Sequence, residues 1–224
     1  NWQDRENPQA GGAEIHMHEI FGRLARIGHE VTLLCGGWPG CPPRARLDDI
    51  EVHRVGTRHS FPLEAHRYFD RTFGDAAPSM DVLVEDINKV PLYTPRWGGV
   101  PKHVALVPHL FGVTAFQQLT APLAAAVWLP ERPLGRFYRH IPFQAISVST
   151  AEDLATRGIP RENVEVIYPG IDTNAFSPQP AVRSPQPLFA YLGRLKKYKG
   201  VHLVIRAFAE LNHPEARLEI AGAG

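Results

Sequence analysis

The chain has little of several features that mark common protein classes. It contains only 2 cysteines, carries a formal net charge of +1, and has no apolar run long enough to cross a bilayer. Such an even charge balance indicates neither a nucleic-acid-binding protein nor an acidic tail. No segment has the layout of a secretory signal peptide. The sequence therefore predicts a soluble or peripheral protein without a nucleic-acid partner.

The two cysteines show no metal-binding pattern. Cys35 and Cys41 lie in a segment rich in glycine and proline, without a second cysteine pair or a nearby histidine to complete a zinc site. We interpret them as reduced thiols without a chemical role in a cytosolic protein. Their spacing leaves a local disulfide sterically allowed.

The sequence does have a repeated alternation of strand and helix patterns, which predicts doubly wound parallel sheets. Its 224 residues suit one large or two small domains. Ser149 and Thr150 are predicted to open a helix, and Asp153 would complete a capping box with Thr150. The predicted strands are 30–35, 50–55, 82–85, 104–107, 145–149, 164–168 and 188–192. The predicted helices are 13–27, 66–76, 115–127, 150–157 and one that begins near Val201, and the segment before residue 50 is predicted as a loop.

A cluster of prolines divides the chain near its carboxyl-terminal end. Proline has no backbone N–H, so this segment has too few hydrogen-bond donors to form a packed helix or strand. The prolines are Pro178, Pro180, Pro185 and Pro187. We predict a first domain over residues 1–172, a linker over 173–187, and the start of a second domain over 188–224.

A basic loop follows the predicted strand 188–192 and precedes an amphipathic helix. It begins at Gly193 and carries Arg194 and Lys199 five residues apart. At a strand exit beside a helix N-terminus, these cations can converge on a diphosphate, the arginine as a bidentate fork and the lysine as a point charge. The alternative is a solvated lysine-rich turn.

Two other segments are candidates for ligand contact. Gly11 and Gly12 precede the first predicted helix, where paired glycines let backbone amides approach a phosphate. His109 follows the predicted strand 104–107 and is expected in the crevice outside the carboxyl ends of the sheet. A loop histidine satisfied by backbone groups is the alternative for His109.

Polar residues also stand at the end of the predicted strand 82–85. Glu85, Asp86 and Asn88 either contact an acceptor substrate or cap the loop that follows. The same two alternatives apply to Glu14, which either contacts substrate or caps the first helix.

A basic and aromatic stretch lies between residues 132 and 143. Such a stretch either rests on an anionic membrane surface or forms a solvated helix face packed by its aromatic side chains. Its members are Arg132, Leu134, Arg136, Phe137, Tyr138, Arg139, His140 and Phe143.

In this order, the motifs resemble the retaining glycosyltransferases of family 4, which have the GT-B fold. The resemblance implies two Rossmann-like domains that face a cleft, the second truncated here. In many relatives an asparagine stands where this chain has Pro169, so that donor contact is absent. The matching segments are Ala10–Glu14, Gly28–Leu34, Ala145–Leu154, Val166–Asp172 with Phe176, Gly193–Gly200 and Leu218–Gly224.

The resemblance also implies an activity. It is the transfer of a sugar from a GDP- or UDP-linked donor to a sugar or lipid-linked acceptor, with retention of configuration and without a metal or other cofactor. Arg194 and Lys199 would neutralise the leaving diphosphate, and His109 would contact the donor sugar or the reaction centre. The implied location is cytoplasmic, either free in solution or peripheral at the inner face of the membrane. The expected substrate contacts are Gly11, Gly12, Glu14, Glu85, Asn88 and Gly193.

Measured against the family, both ends of the chain look cut. The family has a buried strand before Trp2 and an acidic E-x7-E donor motif beyond Gly224, so we expect this piece alone to be inactive or nearly so. One alternative function is a non-catalytic nucleotide-sugar or partner-binding module of the same fold. Another is an NAD-dependent oxidoreductase, but Gly11 and Gly12 lack the G-x-G-x-x-G spacing and no acidic residue ends the strand 30–35.

Overall fold

The computed structural model describes residues 2–118, 120–177 and 186–223. The chain forms two compact units, the first comprising Asn1–Val113 and Ala125–Pro169 and the second comprising Thr114–Ala124 and Gly170–Gly224. Pro178, Pro180 and Pro185 of the predicted linker lie outside the described residues. The domain limits 1–172 and 188–224 therefore remain predictions.

The first unit opens with helix α1 (Gly12–Arg26) and a three-stranded sheet. Strands β1 (Thr32–Gly37), β2 (Arg44–Leu47) and β3 (Ile50–Thr57) lie in the order β1-β3-β2. β1 and β3 are parallel, whereas β2 is antiparallel to β3. This is a correction to the predicted loop, and it arises because Asp48 and Asp49 adopt φ values of 52° and 65°, which close a tight hairpin.

The other sheet of the first unit is wholly parallel, with its strands in chain order. After β3 the chain passes through α2 (Phe61–Phe73), β4 (Leu83–Asp86), β5 (His103–Val107), α3 (Ala115–Gln118), α4 (Ala121–Glu131), α5 (Leu134–Phe137), β6 (Phe143–Ala145), α6 (Val148–Thr156) and β7 (Val164–Val166). The α/β pattern predicted from the sequence is thus confirmed. No described helix is both long and apolar enough to span a membrane.

The predicted strand 145–149 ends early, at Ala145, because a serine begins the next helix. Ser147 is the N-cap of α6, and its Oγ accepts a hydrogen bond from the Thr150 backbone N–H at 3.2 Å. Ser149 and Thr150 therefore lie inside the first turn, and the capping box predicted for Thr150 with Asp153 is wrong. The predicted helix 115–127 is in fact the two helices α3 and α4.

Apolar side chains pack against both sheets of the first unit. The core on the four-stranded sheet includes Ile87, Ala105, Val107, Leu134, Tyr138, Phe143 and Leu154. The core on the three-stranded sheet includes Met17, Leu33, Cys35, Ile50 and Val52. Leu134, Tyr138 and Phe143 belong to the basic and aromatic stretch, so these three side chains do not form its surface.

The second unit contains a β-α-β motif, of which the sequence predicts the first strand and the helix. Strand β8 (Leu188–Leu192) is followed by helix α7 (Val201–Leu211) and strand β9 (Arg217–Ala221). β8 and β9 are parallel, with Leu192 opposite Ala221 at their carboxyl ends. The basic loop therefore starts where this strand pair ends.

Candidate functional site

The basic loop of the second unit is attached to the sheet by backbone contacts. The Gly193 N–H donates to the Ala221 carbonyl at 3.0 Å, and the Leu195 N–H donates to the Ala223 carbonyl at 2.8 Å. An ideal Cβ on Gly222 would lie only 1.8 Å from the Gly193 carbonyl oxygen, so no side chain fits at position 222. The first residues of the loop are thus held at a defined place.

The cations of this loop lie at the surface, ahead of α7. Arg194 and Lys199 are both exposed. A 3-10 turn ends at Gly200, whose φ of 70° is in the left-handed region and which is the N-cap of α7. Since Gly200 has no side chain, backbone amides and the positive end of the helix dipole are offered to an anion there. The arrangement suits a phosphate group.

Glu85, at the end of β4 in the first unit, organises a loop. It is 3% exposed. Its carboxylate accepts hydrogen bonds from the Leu92 N–H at 2.6 Å, from the Thr94 N–H at 3.0 Å and hydroxyl at 2.7 Å, and from the Tyr138 hydroxyl at 2.9 Å. Both of its oxygens are therefore engaged inside the protein. We leave Glu85 out of the proposed substrate contacts for this reason.

Asp86 has opposite surroundings, since neighbouring side chains on a strand point to opposite faces. It is buried, and neither of its carboxylate oxygens has a hydrogen-bond partner within the described part of the chain. Burial raises the pKa of Asp86 to about 7, and the nearby Glu14 acts in the same direction. Buried polar groups normally have partners, so a ligand's donor group could satisfy this carboxyl.

Glu14 joins the start of α1 to the loop after β4. Its Oε2 accepts a hydrogen bond from the Gly11 N–H at 2.8 Å, which caps the helix. Its Oε1 accepts one from Asn88 Nδ2 at 3.3 Å and lies 3.6 Å from Lys89 Nζ. The Lys89 ammonium also donates to Gln3 Oε1 at 3.2 Å, and burial lowers the pKa of Lys89. The side chains of Glu14, Asn88, Lys89 and Gln3 thus form one polar cluster.

The backbone next to this polar cluster is uncovered at Gly12. An ideal Cβ on Gly12 would meet nothing within 4 Å, so the backbone at the start of α1 is approachable. Gly11, Gly12, Glu14 and Asn88, all predicted as substrate contacts, therefore lie at one helix start. Sequence reasoning did not include Lys89, although a basic residue directly after a strand exit is a usable signal.

His109 lies exposed in the loop after β5, with its ring 4.9 Å from that of Phe111. This loop is held by Glu131, whose carboxylate accepts hydrogen bonds from the Phe111 N–H at 2.7 Å and from the Gly112 N–H at 2.8 Å. Arg157 Nη2 lies 3.3 Å from the same carboxylate. Glu131 therefore positions the His109 loop. Nothing in the sequence indicates this role, because its partners are backbone groups about 20 residues away.

The described ranges contain no group of three or more histidine, cysteine, aspartate or glutamate side chains that could hold a metal ion. The candidate groups of the second unit are the cations and backbone amides of the basic loop, and those of the first unit are the Asp86 carboxyl and the exposed His109 imidazole.

Two protein-family models match the chain in tandem. Residues 10–175 match Glycosyltransferase Family 4, and residues 172–224 match Glycosyl transferases group 1. A curated relative is the GDP-mannose-dependent alpha-(1-6)-phosphatidylinositol monomannoside mannosyltransferase of Mycolicibacterium smegmatis, which is 26% identical over 242 residues. The match covers 97% of this chain and 58% of the relative. The chain thus spans less than two thirds of this relative's length.

Solved structures show the same fold. Anabaena Alr3699/HepE in complex with UDP and glucose matches with a TM-score of 0.63 and 17% identity, covering 100% of this chain and 60% of that one. Sucrose-phosphate synthase from Thermosynechococcus elongatus matches with a TM-score of 0.64 and 15% identity, covering 95% and 57%. These likenesses concern the fold alone, and they confirm the predicted GT-B architecture.

Proposed function

Since the chain belongs to glycosyltransferase family 4, we propose that it transfers a hexose from a nucleotide diphosphate sugar to an acceptor hydroxyl, with retention of configuration. Because the chain spans less than two thirds of its relatives, the proposal concerns the full-length protein. The observation that carries it is the basic loop after β8. In that loop two exposed cations precede a helix whose N-cap is a glycine.

The chemistry gives these cations a role. Breaking the bond between a sugar and a diphosphate builds negative charge on the leaving oxygen, and preorganised cations there lower the barrier. Arg194 and Lys199, which we call the clamp, would supply that charge, with Gly193 allowing close approach of the backbone. The acceptor hydroxyl attacks from the face that the diphosphate leaves, and the leaving phosphate takes the proton.

Two named relatives support the donor class. The Anabaena structure was solved with UDP and glucose, and the mycobacterial relative is named for GDP-mannose. We assign this chain a GDP- or UDP-linked hexose. The same relative is named for a phosphatidylinositol-linked acceptor, which supports a sugar or lipid-linked acceptor here and a peripheral location at the cytoplasmic face of the membrane.

The first unit supplies the proposed contacts to sugar and acceptor. His109 would contact the donor sugar, because it is exposed beyond the carboxyl end of β5. Gly11, Gly12 and Asn88 would contact substrate at the start of α1. Asp86 joins them in place of Glu85, since its carboxyl lacks a partner among the residues described. Glu14 is left out, as Glu85 is, because it is buried and both of its oxygens are engaged inside the protein.

The test measures turnover of the full-length protein with a panel of GDP- and UDP-hexoses. Arg194→Ala and Lys199→Ala should each lower turnover by about two orders of magnitude or more, because each removes a charge aimed at the leaving group. Lys197→Ala is the matched control, since it removes an exposed charge from the same loop.

Three results would contradict the proposal. Near-normal turnover in both Arg194→Ala and Lys199→Ala would show that the basic loop does not stabilise the leaving diphosphate. An equal loss in the Lys197→Ala control would show a general electrostatic effect. Binding of the nucleotide sugar without any transfer would favour a non-catalytic binding module.

A further inference from the structure

The first unit has a pocket whose lining includes none of the proposed substrate contacts. It is a pocket of about 350 Å³ lined by His66, Tyr93, Arg96, Trp97 and Phe137. Gly98, next to Trp97, approaches Leu83 and His103, the first residues of β4 and β5, since its ideal Cβ would lie 2.9 Å and 2.8 Å from their side chains. The pocket thus borders the loop between β4 and β5, and Glu85 holds the start of that loop through Leu92 and Thr94.

The walls of this pocket are aromatic and held in place. The rings of His66 and Trp97 stack with centroids 4.9 Å apart at 29°, and those of Tyr93 and Phe137 meet edge to face at 5.4 Å. The indole N–H of Trp97 donates to the Leu92 carbonyl at 2.8 Å. Preformed aromatic surfaces of this kind suit the C–H face of a sugar or polyol ring.

One arginine, Arg96, lines this pocket, and a second, Arg136, lies against the ring of the lining residue Phe137. The guanidinium of Arg96 lies 4.9 Å from the centre of the Phe137 ring, and that of Arg136 lies 5.4 Å from it. Neither forms an ion pair with a carboxylate in the described ranges, in contrast to Arg54 and Arg157. Both are exposed.

Unpaired guanidinium groups are well suited to phosphate, which they bind through two parallel hydrogen bonds. Stacking on an aromatic ring also limits the orientations that each guanidinium can adopt. The volume is at the lower end of the range for small-molecule pockets, which fits a single ring with one phosphate.

We propose that this pocket binds a phosphorylated sugar or polyol ring, with Arg96 and Arg136 on the phosphate and the aromatic walls on the ring. The ligand is either a soluble sugar phosphate or the headgroup of a lipid that carries a phosphate-linked ring. None of the residues that line this pocket is among the proposed donor and acceptor contacts, and the proposal does not depend on the transferase activity.

The experiment measures binding to the full chain by calorimetry and by vesicle flotation. The soluble probe is glucose 6-phosphate, and the membrane probe is a vesicle of phosphatidylcholine with phosphatidylinositol, compared with phosphatidylcholine alone. Arg96→Gln should weaken binding about tenfold or more, because a charge-assisted hydrogen bond is lost. His66→Ala should weaken it several-fold, about the effect of one aromatic contact. Arg46→Gln, an exposed arginine on β2, is the control and should bind as wild type.

Binding of glucose 6-phosphate identifies the soluble source, and binding only to the phosphatidylinositol vesicle identifies the lipid headgroup. Failure of both probes to bind the wild-type chain overturns the proposal. Equal binding by Arg96→Gln and wild type overturns it as well. If Arg96→Gln lowers the melting temperature, Arg136→Gln replaces it with the same expected loss.

Discussion

The phenol oxygen of Tyr138 lies 2.9 Å from both carboxylate oxygens of Glu85. The same phenol oxygen accepts a hydrogen bond from the Tyr93 N–H at 2.6 Å. Burial raises the pKa of Tyr138, so the hydroxyl keeps its proton and remains a donor. The pair therefore ties the end of β4 to the segment before β6 and holds the loop between β4 and β5.

Tyr138→Phe should lower the free energy of unfolding by about 1–3 kcal/mol, because it removes one buried donor from the Glu85 carboxylate and the acceptor of the Tyr93 N–H. Urea unfolding followed by fluorescence measures the change. Tyr198→Phe, at an exposed tyrosine, should change it by less than about 0.5 kcal/mol. Equal effects of the two substitutions would contradict the structural role of the pair.

Asp86→Asn should raise the free energy of unfolding at pH 8 and leave it nearly unchanged near pH 4. The pKa of Asp86 is about 7 in the folded protein and has its ordinary value of 3.8 in the unfolded chain, so the folded state binds more protons between these values. Wild-type stability therefore falls as pH rises from about 4 to 7 and is fully reduced above that range.

Urea unfolding of both proteins at pH 5 and pH 8 tests this dependence. We expect a gain on the order of 3 kcal/mol at pH 8 if the carboxyl stays buried. Asp81→Asn, at an exposed carboxylate just before β4, is the control and should show no such pH dependence. A pH-independent difference between Asp86→Asn and wild type would contradict the raised pKa.

His109→Ala should impair turnover of the full-length protein while leaving its melting temperature nearly unchanged. The imidazole is exposed, and the backbone of its loop is held by Glu131 instead. Steady-state kinetics and thermal unfolding measure the two effects. A large loss of stability without a specific loss of rate would favour a structural histidine.

Activity of the full-length protein should survive excess EDTA, because Arg194 and Lys199 would supply the charge that a divalent ion otherwise brings. Glu85 and Asp86 are poorly placed to grip one ion together, since they are consecutive on β4 and Glu85 is engaged by internal donors. Turnover that stops with EDTA and returns with Mg²⁺ or Mn²⁺ would show that the clamp assignment is wrong.

The fold class could be predicted because strand and helix periodicities are local properties of the sequence. The ends of helices and strands were harder to predict where a single side chain determines them. Ser147 ends the strand at Ala145 by capping α6, although the sequence around it is compatible with a longer strand. β2 depends on the left-handed backbone of Asp48 and Asp49, which its composition does not reveal.

For the candidate site, the sequence could predict only that its residues lie near the carboxyl ends of strands. Glu85 and Asp86 occupy the same place in the sequence pattern, and the pattern does not say which of them faces the core. Tyr138, which lies 53 residues further along the chain, settles the matter for Glu85. Long-range contacts of this kind, including that of Glu131 with Phe111 and Gly112, are products of the tertiary structure.

Because of its tight contact with Gly193, the uncharged residue Gly222 determines where the basic loop can lie. Any side chain at position 222 must displace the Gly193 carbonyl, and Arg194 is bonded to that carbonyl carbon. A mutational scan would therefore find position 222 as intolerant as the clamp itself. A natural variant that tolerates a larger residue at 222 would mark a lineage in which selection no longer maintains the clamp.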